Sequence, residues 1–191
     1  MYIISDSVAV LKKAADDGAA VIQLRDKSGD LELIRAKARE IIQYKKHRDF
    51  LFILNDYPEL AIEIRADGVH IGQDFPSFKA RSIVGPDFII GKSTHSLHQG
   101  LQAQKEGVNY ISIGPVFKTP TKPERIAVGL DYVREAAQKI GIPFVAIGGI
   151  DIYNIDSVLS AGAKTIGVVR AAGDAAQLLA KTRRKSLCES Q

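Results

Sequence analysis

Residues 21–54 read VIQLRDKSGDLELIRAKAREIIQYKKHRDFLFIL and contain two short apolar segments with one helical pattern between them. The segments Val21–Leu24 and Phe50–Leu54 are almost continuously apolar, which is typical of strands that are covered on both faces. Between them, Leu31–Tyr44 repeats apolar side chains at the spacing of one helix face: Leu31, Ile34, Ala38, Ile41 and Ile42. The stretch therefore predicts a β-α-β unit with parallel strands.

The same alternation of apolar segment and helical pattern continues along the whole chain, and Leu130–Ile140 shows it again. The predicted strands are Tyr2–Ser5, Val21–Leu24, Phe50–Leu54, Val69–Ile71, Phe88–Ile90, Tyr110–Ile113, Phe144–Ile147 and Thr165–Val169. Eight such units without a linker predict one domain over residues 1–191, a small (β/α)₈ barrel with short loops. A polar tail from about residue 183 is expected to be disordered. An open doubly wound sheet is the alternative, although no Gly-x-Gly-x-x-Gly motif follows the first strand.

Composition and charge narrow the class of protein. The chain has 46% hydrophobic and 25% charged residues, a net charge of +4 and no tryptophan. Its basic residues gather at predicted helix ends, which favours a role at the helix dipole over a nucleic-acid surface. No apolar segment is long enough for a membrane span, and the lone Cys188 fits a reducing cytoplasm. These features predict a cytoplasmic protein with no nucleic-acid or membrane partner, and they leave homo-oligomerisation open.

Polar residues follow the apolar strands, at the barrel rim where active sites of this fold lie. Gln23, Arg25 and Lys27 alternate along strand two and its extension and are expected to share one face, where they would bind a polyanion. The alternative is a structural ion pair with Asp6 or Asp26.

Two aspartates follow neighbouring strands. Asp56 comes after strand three, and Asp74 comes shortly after strand four. Together they could hold one Mg²⁺, a hard ion that prefers oxygen ligands. Taken singly, either could instead cap the next helix, since Pro58 suits an early helical position.

The later strands also end in polar or glycine residues. His95 follows strand five and is expected to be structural more often than catalytic. Residues 114–123 contain Thr119, Thr121 and Lys122 in a proline-rich loop that predicts an anion-binding flap. Gly148 and Gly149 after strand seven fit the phosphate site of this fold, in which backbone N–H groups face the anion.

An ordered set of motifs along nearly the whole chain resembles the thiamine phosphate synthase family, which includes a thiazole tautomerase branch. The motifs are Tyr2-Ile3-Ile4-Ser5-Asp6, Gln23-Leu24-Arg25-Asp26-Lys27, Asn55-Asp56, residues 66–74 (ADGVHIGQD), Ser93-Thr94-His95, Gly114-Pro115-Val116-Phe117, Thr119-Pro120-Thr121-Lys122 and residues 146–150 (AIGGI). The resemblance implies that 4-amino-2-methyl-5-pyrimidinylmethyl diphosphate and thiazole-ethyl phosphate are joined with release of pyrophosphate.

The resemblance also implies residue roles. It implies pyrimidine and pyrophosphate contacts for Gln23, Arg25, Lys27, Asn55 and Lys122, Mg²⁺ ligation by Asp56 and Asp74, and a position near the reacting pyrimidine for Ser93. It implies that the thiazole phosphate and pyrophosphate lie at Thr119, Thr121, Gly149 and Val169.

Three positions depart from the family pattern: the loop at Asp74 is one residue shorter, Lys92 stands where a small apolar residue is usual, and Arg170 replaces a serine. They keep two alternatives open. One is a tautomerase-like isomerase, because a basic residue at the position of Lys92 resembles the tautomerase branch. The other is a non-catalytic phosphate-binding paralogue, because of the shortened loop at Asp74 and of Arg170, which could either add charge to the phosphate site or block it by its bulk.

Overall fold

The computed structural model describes the backbone of residues 1–188 and the side chains of residues 1–182. Eight parallel strands form a closed barrel in sequence order, and the last strand pairs with the first. The strands are β1 Tyr2–Ser5, β2 Val21–Leu24, β3 Leu51–Asn55, β4 Gly68–Ile71, β5 Ile89–Thr94, β6 Tyr110–Ile113, β7 Phe144–Ile147 and β8 Thr165–Val168. The (β/α)₈ prediction is confirmed, and an open sheet is excluded because the β1–β8 pair closes the ring.

A helix follows every strand. The helices are α1 Val8–Asp16, α2 Leu31–Lys45, α3 Pro58–Glu63, α4 Ser77–Val84, α5 Leu97–Lys105, α6 Gly129–Lys139, α7 Ile155–Ser160 and α8 Ala175–Cys188, with a 3₁₀ turn at Arg170–Asp174 before α8. Side-chain caps fix the start of three of them, because Ser7 accepts from the Val10 amide at 3.5 Å, Asp30 from the Leu33 amide at 3.0 Å and Ser96 from the Gln99 amide at 3.3 Å. The tail predicted from residue 183 starts within α8 and ends at residues 189–191, which lie outside the described residues.

Two strands end later than predicted. β3 runs to Asn55, and β5 runs to Thr94 instead of ending at Ile90. The polar residues Lys92, Ser93 and Thr94 are therefore part of a strand. They are tolerated there because each has a hydrogen-bond partner inside the fold.

The core has an outer and an inner part. The outer part fills the space between strands and helices with residues such as Leu11, Ile34 and Val133. The inner part closes the barrel with Tyr2, Ile4, Ile53, Tyr110 and Val145. Within the described chain, none of the helices has the length and apolar character needed to cross a membrane.

Candidate active site

A cavity of about 430 Å³ opens where the strands end at their carboxyl termini. It brings together most of the residues that the sequence singled out: Gln23, Arg25, Asn55, Ser93, Thr119, Thr121, Lys122, Gly149 and Val169. Lys27, Asp56 and Asp74 do not line it. Residues from all eight strands and from several of the following loops contribute, because parallel strands deliver all their carboxyl ends to one rim.

The cavity is electropositive around Lys122, which is half-buried. Burial lowers the pKa of the Lys122 ammonium. The positive charges of Arg25, Arg125 and Lys27 lower it further, whereas the carboxylate of Glu124 raises it. Cations that repel one another in this way favour a bound anion, which would relieve the repulsion. Arg125 was not predicted from the sequence.

Lys27 and Asp56 form an ion pair beside the cavity. Asp56 has a left-handed backbone (φ 69°) directly after β3, a conformation that aspartate tolerates better than most residues other than glycine. The helix-cap alternative is not observed for either aspartate, because α3 is preceded by Tyr57 and α4 by Pro76, neither of which caps with its side chain.

Asp26 has partners of its own, separate from the cation group. It accepts from Lys37 Nζ at 2.6 Å and from the Ser28 amide at 2.8 Å. These bonds, with Lys37 first, lower the pKa of the Asp26 carboxyl to about 2. Because Asp26 is satisfied by Lys37, the alternative of an ion pair between Asp26 and the predicted cations Arg25 and Lys27 is not observed.

The carboxylates of Asp56 and Asp74 are the candidate ligands for a Mg²⁺ ion. The described residues contain no group of three or more His, Cys, Asp or Glu side chains placed to hold a metal. Asp56 and Asp74 follow the paired strands β3 and β4, and Asp74 is exposed. Mg²⁺ often binds through one or two carboxylates together with substrate phosphates, so this donor set suits it.

A chain of hydrogen bonds crosses the floor of the cavity. Gln23 Nε2 donates to the Tyr2 hydroxyl at 2.6 Å, and the Tyr2 and Tyr110 hydroxyls are 2.7 Å apart. The Tyr110 hydroxyl lies 3.0 Å from His70 Nδ1, and His70 Nε2 lies 3.0 Å from Ser93 Oγ. The chain therefore links two cavity residues on β2 and β5 through three buried side chains.

All three intervening groups are neutral. Burial lowers the pKa of His70 to about 4. Burial also raises the pKa of the Tyr2 and Tyr110 hydroxyls well above the usual range. Tyr2, His70 and Tyr110 were not predicted as site residues from the sequence. The signal that could have found them is that each places a polar side-chain atom at an inward position of an otherwise apolar strand.

The loop between β6 and α6 covers one side of the cavity. Its ends are fixed by backbone hydrogen bonds, from Phe117 to Gly148 at 3.0 Å and from Val128 to Pro115 at 2.8 Å. Gly149 has φ +67°, and a Cβ there would lie 2.8 Å from the Phe117 Cβ. Only glycine allows this approach, which brings its backbone to the flap.

His95 has a structural contact at the cavity edge. Its Nδ1 hydrogen bonds to the Gly114 carbonyl, so Nδ1 carries the proton and Nε2 is an acceptor. Its backbone N–H donates to Gln99 Oε1 at 2.7 Å. Burial lowers the pKa of His95.

The structure assigns two of the departures to different places. Lys92 points out of the barrel, where Nζ lies 3.0 Å from Ser77 Oγ and 2.9 Å from Glu106 Oε2, so it does not contribute to the cavity. Arg170 is exposed and lines the cavity beside Val169.

A closed parallel barrel with a cation-lined cavity at its carboxyl rim defines a (β/α)₈ protein whose site is suited to an anion. A family model described as thiamine monophosphate synthase matches residues 1–172. The chain belongs to the thiamine monophosphate synthase family.

Individual relatives agree with this assignment. The chain is 46% identical to a thiamine-phosphate synthase of Thermus thermophilus over 167 residues, covering 86% of this chain and 80% of the relative. It is 42% identical to one from Shouchella clausii over 166 residues, covering 86% and 79%. The solved thiamine phosphate pyrophosphorylase from Pyrococcus furiosus has a TM-score of 0.87 and 32% identity, covering 96% of this chain and 95% of that one.

Proposed function

We propose that this chain is a thiamine phosphate synthase. It would join the pyrimidinylmethyl group of 4-amino-2-methyl-5-pyrimidinylmethyl diphosphate to the ring nitrogen of thiazole-ethyl phosphate and release pyrophosphate. The observation that carries the proposal is the group of mutually repelling cations at the rim of the cavity in a member of this family.

Stabilisation of the leaving group is the main task of the site. The bond between the methylene carbon and the diphosphate oxygen breaks first, and its electron pair leaves with pyrophosphate. Arg25, Lys27 and Lys122 would stabilise the charge that develops there. The thiazole nitrogen then forms the new C–N bond with its own electron pair, so no general base is required.

A Mg²⁺ cofactor would be held by Asp56 and Asp74. When bound, it supplies further positive charge to the diphosphate oxygens. Asp56 pairs with Lys27, so the same carboxylate also positions an ammonium group for the leaving pyrophosphate.

The remaining cavity residues would hold the two substrates in register. Gln23, Asn55 and Ser93, from β2, β3 and β5, line the cavity and would contact the pyrimidine. Thr119, Thr121, Gly149 and Val169 line the side formed by the loops after β6, β7 and β8, and they would hold the thiazole phosphate and pyrophosphate. Holding the nitrogen against the methylene carbon lowers the entropic part of the barrier.

The proposed setting is the cytoplasm. The only cysteine, Cys188, allows no internal disulfide, which suits a reducing compartment. We expect small phosphorylated substrates as partners, with no nucleic acid or membrane, and leave homo-oligomerisation to direct measurement.

The test is product formation from the two substrates and Mg²⁺, measured as thiamine phosphate after oxidation to fluorescent thiochrome phosphate. We expect product in the wild type and its loss with EDTA and in Arg25→Ala. Arg39→Ala, which removes an exposed arginine on α2, is the matched control and should keep full activity.

A folded protein that yields no product beside an active control enzyme would contradict the proposal. Two other functions then become testable. The isomerase alternative predicts thiazole tautomer conversion without diphosphate or metal. The paralogue alternative is favoured by Arg170 at the cavity and predicts binding of both substrates without turnover.

A further inference from the structure

We propose that Tyr110 and His70 are positioning residues that hold the Ser93 hydroxyl as a hydrogen-bond donor toward the ligand in the cavity. The proposal rests on the proposed function for the identity of the ligand, an aminopyrimidine. The direction of the hydrogen bonds follows from the contacts that the side chains at the floor of the cavity make with one another.

The direction follows from counting protons along the chain. Gln23 Nε2 donates to Tyr2 at 2.6 Å, so the Tyr2 oxygen accepts and its own proton must go to Tyr110, 2.7 Å away. The Tyr110 proton is then directed to His70 Nδ1 at 3.0 Å. Neutral His70 consequently carries its proton on Nε2 and donates to Ser93 Oγ at 3.0 Å.

Neutrality makes the chain directional. A protonated His70 would donate from both nitrogens and break the sequence, but Nδ1 accepts the Tyr110 proton, so the imidazole carries a single proton, on Nε2. Each interior group therefore accepts one bond and donates the next. Ser93 is the last member, and because its oxygen already accepts from His70, its own proton is left for the cavity that Ser93 lines.

The orientation of the Gln23 amide sets the direction of the whole chain. If the amide oxygen faced Tyr2, every bond would reverse, and Ser93 would donate to His70 instead of to the ligand. In the structure the amide nitrogen faces Tyr2, which leaves Gln23 Oε1 as an acceptor. An aminopyrimidine offers a donating amino group and accepting ring nitrogens, so it complements an acceptor at Gln23 and a donor at Ser93.

His70 has a second neighbour that does not change this assignment. Ser112 Oγ lies 3.4 Å from His70 Nε2, farther than Ser93 Oγ at 3.0 Å. Both hydroxyls lie on the same side of the ring, so a single Nε2–H is directed at Ser93 and shared weakly with Ser112.

The first test is the tautomer of His70, which needs no turnover. Two-bond ¹H–¹⁵N spectra of protein labelled in histidine should show His70 with its proton on Nε2 at pH 7, assigned by the signal missing in His70→Gln. Tyr110→Phe removes the donor to Nδ1 and should give a mixture of tautomers. A wild-type His70 with its proton on Nδ1 would overturn the proposal, whether or not the protein makes thiamine phosphate.

The second test is coupling between Tyr110 and Ser93 in ligand affinity. The dissociation constant of the pyrimidine alcohol is measured by titration, so it too is independent of turnover. Losing one hydrogen bond should weaken binding about tenfold in Tyr110→Phe and in Ser93→Ala, and the double variant should bind no more weakly than Ser93→Ala.

Tyr132→Phe is the matched control. It also removes a buried tyrosine hydroxyl, which lies 2.8 Å from Thr94 Oγ1 outside the barrel interior, and it should leave both the tautomer and the affinity unchanged. If the effects of Tyr110→Phe and Ser93→Ala multiply in the double variant, Tyr110 acts independently of Ser93 and the proposal is wrong.

Discussion

Acidification should destabilise this protein through His70. The ordinary pKa of histidine is 6.5, and burial lowers the pKa of His70 to about 4 in the folded chain. As pH falls below 6.5, the His70 imidazole becomes protonated in the unfolded chain but stays neutral in the folded chain. Protonation therefore favours the unfolded state. The loss of unfolding free energy from this one residue is about 3 kcal/mol between pH 7 and pH 4, and it is complete below pH 4.

The assay is urea unfolding at pH 7, 6, 5 and 4, followed by far-ultraviolet circular dichroism. We expect the free energy of unfolding to fall less steeply with acid in His70→Gln, by about 3 kcal/mol over this range. Burial also lowers the pKa of His95, so part of the slope remains in the variant and the difference between the two proteins isolates His70. His98→Gln, at an exposed position, is the control and should follow the wild type. Equal slopes in wild type and His70→Gln would refute the reasoning.

Three further substitutions test other parts of the structure. Lys92→Met removes the ion pair outside the barrel and should cost about 1–3 kcal/mol in chemical unfolding while kcat stays unchanged; a loss of kcat at full stability would contradict its outward position. If Arg170 contacts the thiazole phosphate, Arg170→Ser should raise KM for the thiazole phosphate about tenfold and leave KM for the pyrimidine diphosphate unchanged. The same KM for the thiazole phosphate in variant and wild type would show that Arg170 does not contact the phosphate. Gly91→Ala places a Cβ 2.0 Å from the Tyr110 ring and should cost about 3 kcal/mol or more, whereas Gly72→Ala, with no atom within 4 Å, should be nearly neutral; similar melting temperatures would refute this.

The fold was predictable because each strand is short, apolar and followed by a helical pattern. Four strands have the predicted bounds, and the order of units left little choice but a closed ring. The error at β5 has a physical cause. Lys92 and Ser93 look like loop residues in sequence, but Glu106 and His70 satisfy them inside the fold, and those partners are distant in the chain.

The site was predictable to the extent that it lies at strand ends. Arg25 could be found that way because it comes directly after β2, and Lys122 because it lies in the loop that follows β6. The hydrogen bond between Tyr2 and Tyr110 could not be predicted, because it joins residues 108 positions apart and no local sequence pattern indicates it. Pairing of Lys27 with Asp56 was missed for the same reason, because side-chain partners across neighbouring strands depend on register.

The tyrosine pair has a consequence for substrate size. Tyr2 and Tyr110 are hydrogen bonded across the barrel interior, and the missing side chain of Gly91 leaves the space that the Tyr110 ring fills. A ring that enters from the rim therefore stops at these two phenols. Replacing Tyr110 with a smaller residue would be the first step toward a protein that accepts bicyclic heterocycles. The same replacement would deepen the cavity and leave the Ser93 hydroxyl without a fixed orientation.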